Sequence, residues 1–309
     1  MGRLMFDYKL IEALAMVARE GSFDKAARSL YITQSAVSQR VKLLEELMGQ
    51  VLIVRSTPPK VTSAGRQLLK HYLQVKRLED DLMEDVGKPS NGGYASLAVG
   101  INADSLAIWF LETIRPFLLE EQVLLEIRVD DQEQTHRLLK DGEVMGCISS
   151  QEQPMQGCRI EYLGQMNYHM MAVPAFASRW FPNGFTFENV RLAPALMFDR
   201  KDDLHHKFLH QVIGEVPASL PTHYVPSVEK YAEFLTFGLA YGMLPDMQST
   251  PLVDTGQLVD LSPNNHVSVK LYWHCWSLKS KLLEKFTQEL TFRAKTLIGT
   301  GSSPQLQDF

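Results

Sequence analysis

The chain has 309 residues, 45% hydrophobic and 22% charged, enough to bury real cores and to exclude a wholly disordered polymer. At about 100–200 residues per domain, that length predicts two or three domains. Lys plus Arg number 31 against 36 Asp plus Glu, and the net charge of −5, taken as an average, argues against a nucleic-acid binder.

Leu10, Ile11, Leu14, Val17 and Ala18 recur at helical spacing and predict a helix over 7–18. Gly21 stops it, and Ser22 can cap a short helix over 23–30, whose Ala26 and Ala27 allow another helix close approach. After Tyr31-Ile32, Thr33 stands as N-cap of a helix over about 34–47. Its apolar stripe is Val37, Val41, Leu44 and Leu47, and Gln34, Ser35, Ser38, Gln39 and Lys42 face outward. Strands at 51–54 and 60–62 flank Thr57-Pro58-Pro59 and look like a small wing. Thr62 or Ser63 caps a long helix over 63–86, with Leu68, Tyr72, Val75, Leu82 and Val86 in a heptad-like seam. Such a seam fits two paired helices or one amphipathic helix lying on its own domain.

Lys88-Pro89-Ser90-Asn91-Gly92-Gly93 is the clearest linker. Beyond it come a strand at 97–101, a helix at 104–120, a strand at 124–129, a helix at 132–140 and a strand at 144–148. This alternation predicts a parallel sheet with right-handed crossovers. Strands follow near 162–173 and 192–198. A second alternation runs helix 203–214, strand 222–226, helix 227–237 and strand 240–244. Strands near 258–261 and 267–276, a helix at 280–297 and a disordered tail at 300–309 complete the chain. The expected fold class is α/β with an all-α winged helix-turn-helix head, a long linker helix and a two-lobed periplasmic-binding-protein-like effector domain. The expected divisions are 1–62, 63–93 and 94–309. Lobe I takes about 94–165 and 272–309, and lobe II about 166–271.

The average charge divides unevenly. Residues 1–88 hold 14 Lys/Arg against 11 Asp/Glu, whereas residues 89–309 hold 17 against 25. Within 25–66 the seven cations are Lys25, Arg28, Arg40, Lys42, Arg55, Lys60 and Arg66, opposed only by Glu45 and Glu46. Phosphates require such a local excess, because binding is driven largely by counterion release. Two short helices joined by a tight turn, the second bearing short polar side chains, form the helix-turn-helix pattern. A helix fits the major groove, where Gln can pair with adenine and Ser can donate to bases, while Arg and Lys anchor phosphates. Thr33, Gln34, Ser35, Ser38, Gln39, Arg40, Lys42, Arg55 and Lys60 are therefore the candidate DNA contacts.

Phe23, Ala26-Ala27, Leu30, Gln34-Ser35-Ala36-Val37-Ser38-Gln39, Leu43-Leu44-Glu45, Val54-Arg55 and Val61-Thr62-Ser63-Ala64-Gly65 resemble the LysR-type transcriptional regulators. The resemblance extends over essentially the whole chain. It departs at Ile53-Val54, where the wider family usually has Leu-Phe, a position that looks like wing packing. Asn102-Ala103-Asp104-Ser105-Leu106-Ala107, Phe181-Pro182-Asn183-Gly184, Phe198-Asp199, Asp202-Asp203 and Leu271-Tyr272-Trp273-His274 resemble the arginine/lysine-responsive ArgP branch. That resemblance implies a dimeric or tetrameric regulator whose binding to promoter double-stranded DNA responds to a basic amino acid, with RNA polymerase as a further partner.

In open α/β sheets ligands sit beyond the carboxyl ends of strands. Asn102, Asp104, Ser105, Asp131 and Ser149 lie at such ends, and Asp199, Asp203 and Ser227 stand at the crossover and helix starts of the second lobe. The cations of a basic amino acid need carboxylate acceptors, for which Asp104, Asp131, Asp199 and Asp203 are candidates. Its α-carboxylate suits a helix N-terminus with a hydroxyl, such as Ser105 or Ser227. The competing reading makes Asp104, Ser105, Asp203 and Ser227 plain helix caps and Asp130-Asp131 solvated turn residues.

Enzyme readings find little support. His206 and His210 are four apart on a predicted helix, but Lys207 holds the place of the HExxH glutamate. His274-Cys275 lies among Trp273 and Trp276 and reads as core. Neither GxSxG nor GxxxxGK[ST] occurs, and no cofactor is expected. An amino-acid-binding sensor or transport-type protein without regulatory DNA binding is the alternative. Three cysteines, no apolar run of about 18 residues and no secretory start favour a cytoplasmic protein.

Overall fold

Residues 7–87, 94–130 and 135–299 are described in the computed structural model, so the linker at 88–93, Asp131 and the tail lie outside the described residues. The chain begins with α1 (Tyr8–Glu20), α2 (Phe23–Ser29) and α3 (Gln34–Met48). Asp7, Ser22 and Thr33 cap them, each accepting a first-turn backbone N–H. The wing is the antiparallel pair β1 (Ile53–Val54) and β2 (Lys60–Val61). Leu10, Ile11, Leu14, Val17, Ala26, Ala27, Val37, Val41, Leu44, Leu52 and Ile53 form one core beneath them. Two expected core positions differ: Leu47 is 48% exposed and Val54 is 51% exposed. Of the Ile53-Val54 pair, only Ile53 packs inward.

The long helix is α4 (Ser63–Asp85). Leu68 and Tyr72 on it pack on the core of the head. Burial, then the nearby carboxylates of Glu12, Glu79 and Asp80, push the Tyr72 hydroxyl up to about 12. Further along the same face Leu82 is 61% and Val86 58% exposed. The seam thus divides, its start covered by its own domain and its end bare. On the opposite face Arg77 and Asp81 are buried and ion-paired.

The remainder builds one sheet of nine strands. Its first half is β3 (Ala95–Ile101), α5 (Ala103–Ser105), a π turn at Leu106–Phe110, α6 (Leu111–Glu120), β4 (Val123–Val129), α7 (Thr135–Lys140) and β5 (Gly146–Ser149). There follow β6 (Cys158–Ala172), α8 (Pro174–Trp180), α9 (Phe187–Leu192), β7 (Ala195–Met197), α10 (Leu204–Ile213), β8 (Thr222–Tyr224), α11 (Val228–Thr236) and β9 (Tyr241–Pro245). The chain ends with α12 (Asp246–Asp254), β10 (Val259–Asp260), β11 (Val267–Trp276) and α13 (Lys281–Ile298). Strand order is β4-β3-β5-β11-β6-β9-β7-β8, with β10 beside β6.

β3 runs parallel to β4 and β5, and β7 parallel to β8 and β9, as the two alternations require. Between these parallel sets lie the antiparallel β6 and β11, paired from Val267 opposite Tyr168 to Trp276 opposite Cys158. Three helices escape the sequence pattern: α8, α9 and α12. They are short, and α8 is held by aromatic stacking rather than by an apolar stripe: Phe176 stacks on Trp180, Phe181 and Tyr241. The predicted strand 192–198 is the end of α9 and the short β7. Successive residues of a strand face opposite ways, so His274 and Cys275 do not meet. His274 Nε2 lies 2.8 Å from the Gln151 carbonyl oxygen, and Arg159 Nε donates to Cys275 Sγ at 3.1 Å. No helix of the described residues is long and apolar enough to cross a membrane.

Candidate nucleic-acid interface and effector cavity

The turn between α2 and α3 is tight because Tyr31 takes a left-handed backbone with φ 54°, uncommon for a residue with a side chain. Its ring is 95% exposed beside the start of α3. Thr33 Oγ1 accepts from Ala36 N at 3.2 Å and lies 2.9 Å from Ser35 Oγ, so it sets where α3 begins. Gln34, Ser35, Gln39 and Lys42 are exposed along α3, and Ser38 and Arg40 are half-buried. Lys42 also reaches Glu46 at 3.6 Å. On the wing side, the Arg55 guanidinium sits 5.7 Å over the Phe23 ring, and Lys60 projects from β2. Phe23 opens α2, so the ring ties the arginine of the wing to the first helix of the motif. Sequence reasoning missed this support and the exposed Tyr31, because each depends on a contact or a backbone angle rather than on spacing.

Arg55→Ala should weaken binding to all DNA sequences alike and flatten its salt dependence by about one counterion. Gln39→Ala should instead relax base preference, at about 1–3 kcal/mol of discrimination. Titrations at several salt concentrations against two unrelated duplexes separate the two. An unchanged salt slope in Arg55→Ala would remove the wing from the interface.

The second site is a cavity of about 380 Å³ where the strand ends of the two parallel sets converge. That size lies within the range of small-molecule sites, about 300–1,000 Å³. Asn102 and Asp104 enter it from the end of β3, Asp130 from the end of β4, and Tyr168 from β6. Asp199, Lys201, Asp202 and Asp203 enter from the segment after β7, and Lys207 from α10. Tyr231, Met243 and Gln248 close the far wall.

The floor is built by one contact between distant residues. The Tyr168 hydroxyl donates to Asp104 Oδ2 at 2.6 Å. Burial raises the Asp104 carboxyl above the usual range; the tyrosine bond opposes this, and the Asp202 carboxylate adds to it. Asn102 is 6% exposed, and its side-chain oxygen has no hydrogen-bond partner among the described residues. Asp202 is held by backbone: it accepts from Phe198 N at 3.1 Å and from Leu204 N at 3.0 Å. Asp199 Oδ1 accepts from Lys201 N and Asp202 N at 2.6 and 3.1 Å. Asp203 faces Lys207 at 3.4 Å. His205, buried behind this segment, is pushed down to about 4 by desolvation, against the pull of Asp202.

Of the eight effector candidates, Asn102, Asp104, Asp199 and Asp203 come together here. The three serines do not line the cavity and are withdrawn. Ser105 is fully buried in the interior, one residue beyond the turn that faces the cleft. Ser149 is fully buried at the end of β5. Ser227 caps α11 by accepting from Lys230 N and donates to Glu229. Asp131 lies outside the described residues. Asp203 does not cap α10 either; Asp202 supplies that bond. Asp202, Tyr168, Lys201 and Lys207 are among the cavity residues that the sequence had not offered as effector contacts.

Residues 8–66 match the bacterial regulatory helix-turn-helix protein, lysR family. A transcriptional regulator ArgP from Aeromonas salmonicida is 38% identical over 295 residues, 96% of this chain and 99% of its own. The chain belongs to the LysR family, within its ArgP branch. Members are DNA-binding transcriptional regulators rather than enzymes. The crystal structure of ArgP from Mycobacterium tuberculosis superposes with a TM-score of 0.86 at 34% identity, covering 97% of this chain and 99% of that one. Full-length LysG from Corynebacterium glutamicum, solved with bound effector Arg, superposes with a TM-score of 0.76 at 30% identity over 94% of this chain and 98% of that one. As a LysR-type protein, the chain carries its family match in the helix-turn-helix and wing, and the whole-chain similarity extends through the lobes that form the cavity.

Proposed function

We propose that this LysR-type regulator binds promoter DNA through α3 and the wing, and that a basic amino acid, lysine or arginine, occupies the cavity and alters that binding. The observation that carries the effector half is the wall chemistry: Asp104, Asp130, Asp199, Asp202 and Asp203 against Lys201 and Lys207. Five carboxylates suit the two cationic groups of such a ligand, and one ammonium suits its α-carboxylate. The Asn102 oxygen adds an acceptor for a guanidinium or ammonium. Arginine bound to LysG supports the same ligand class. The transport-type alternative is disfavoured by the helix-turn-helix match at 8–66.

In this reading residues 1–62 are the DNA-binding head, 63–93 the linker helix and hinge, and 94–309 the effector domain. Lobe I takes about 94–165 and 272–309, and lobe II about 166–271. Leu78, Leu82 and Met83 on α4, and Val86 just after it, are exposed and supply the seam for a second copy. The protein works in the cytoplasm as a dimer or tetramer and meets RNA polymerase at the promoter.

Titration calorimetry of the full chain with lysine, arginine and norleucine tests the effector half. Heat with the first two and none with norleucine is expected. No heat with lysine or arginine, in protein that still binds DNA, would overturn it.

A further inference from the structure

The polar face of α4 points at its own effector domain. At 100° per residue, Arg66, Lys70, Leu73, Arg77, Asp81 and Asp85 fall on one side of the helix, opposite the Leu68–Val86 seam. Four of them, Arg66, Lys70, Leu73 and Asp85, meet the effector domain. Arg66 Nε meets Asp141 Oδ1 at 3.1 Å, in the turn that follows α7. Lys70 packs against the next residue, Gly142. A Cβ added to that glycine would stand 2.7 Å from Lys70 Cβ and 2.8 Å from its Cα, and the glycine φ of +79° disfavours any side chain. Lys70 is also close enough to Cys158, at the start of β6, to oppose the rise that burial imposes on its thiol. Leu73 packs on the large core of the effector domain. Arg77 and Asp81 pair in a buried setting, and Asp85 takes Lys281 at 2.6 Å at the start of α13.

We propose that this face of α4 is a seat on which lobe I of the same chain rests, and that the seat carries the state of the cavity to the DNA-binding head. The second clause rests on the effector reading above; the first does not. The mechanical link is α7. It starts five residues after Asp130, which lines the cavity, and ends one residue before Asp141, which holds Arg66. Its start is fixed to the sheet by Thr135 Oγ1, which donates to the Ile148 carbonyl at 2.7 Å. α7 also packs on β3, whose end carries Asn102 and Asp104 into the cavity, so a ligand that shifts that end moves α7, and the turn after α7 bears directly on the first turns of α4. The outer contacts are partly exposed ion pairs, which are individually weak, so the seat can shift without unfolding anything. The glycine supplies the close approach, and Leu73 supplies the apolar anchor.

Two arms test this in the full-length chain. Carbodiimide should join Asp85 to Lys281, and in a mixture of isotope-labelled and unlabelled protein the joined peptides should come from one chain. Gly142→Val, which removes the close approach without touching either partner, should lower the yield by about threefold or more. In the second arm, promoter DNA captured by the wild-type chain is titrated with and without lysine. Gly142→Val and Asp85→Lys should each bring the lysine response to within about twofold of none while lysine affinity itself changes less than about twofold. Asp85→Lys combined with Lys281→Asp should restore the response. An unchanged cross-link in Gly142→Val, or cross-links only between chains, would overturn the seat. A full lysine response in both single variants would overturn its role in signalling. If the wild-type chain binds neither lysine nor arginine, the effector reading and the signalling clause fall together, and the cross-link still decides whether the seat exists.

Discussion

Asp104→Asn should weaken lysine and arginine binding about 10- to 100-fold, the cost of one charge-assisted contact. The same change should raise the melting temperature of the unliganded chain at neutral pH. Both effects come from one carboxyl. Burial raises its pKa in the folded chain, and Asp202 adds to the rise. The folded state thus holds this proton more tightly than the unfolded state. The stability so conferred is complete below the unfolded carboxylate range and is lost as pH rises through the folded value. Asparagine is neutral at every pH and still accepts from Tyr168, so the variant keeps what the wild type loses. Ligand affinity runs the other way. A cationic ligand favours the ionised carboxyl, so wild-type affinity should fall as pH drops through the raised pKa, and below that pKa a proton should leave on binding. Calorimetry in two buffers of different ionisation enthalpy measures that proton. In Asp104→Asn both the proton and the pH slope should vanish. A variant that binds lysine as tightly as wild type, with the same slope, would remove Asp104 from the site.

Gly65→Ala should abolish DNA binding and leave the effector cavity intact. A Cβ at this position, in the first turn of α4, would lie 2.2 Å from the Leu52 carbonyl oxygen and 2.6 Å from Val61 Cγ1. Neither can retreat easily. The Leu52 oxygen already accepts from Thr62 N at 2.9 Å and from Thr62 Oγ1 at 3.1 Å. The Leu52 N–H donates to Glu45 Oε1 at 2.9 Å, tying the wing strand to α3. Overpacking against fixed backbone costs about 3 kcal/mol. At about 0.05–0.15 kcal/mol per residue, a head of about 60 residues is stable by about 3–9 kcal/mol, so the loss is a third to all of what it has. Calorimetric scanning should show the head melting first and separately, with lysine binding within about twofold of wild type. DNA affinity also within twofold of wild type would show that the wing can give way.

The head was almost fully legible because its signals are local. Caps at Ser22 and Thr33 and the stripe Val37, Val41 and Leu44 are read within one helix each. The cavity was legible only in part: strand ends picked out Asn102 and Asp104, and the crossover and helix start of the second lobe picked out Asp199 and Asp203. Tyr168 sits inside an apolar strand, and its partner Asp104 is 64 residues away, so no window contains both. Asp202 is distinguished from Asp199 and Asp203 only by which backbone N–H groups it closes on. Ser105 failed by one residue: on a tight turn that is enough to send a side chain into the core. The polar face of α4 reads as solvated surface in sequence, because the domain that covers part of it comes later in the chain.

The two lobes are not separate bodies on a loose tether. β6 and β11 pass through both, hydrogen-bonded to each other along ten registered pairs with one irregularity between Leu271 and Tyr272. A spine of that kind does not swing like a door; it twists like a leaf spring, with the strain spread over many residues and a weak place at the irregularity. Any movement of one lobe against the other therefore has to bend this shared pair of strands.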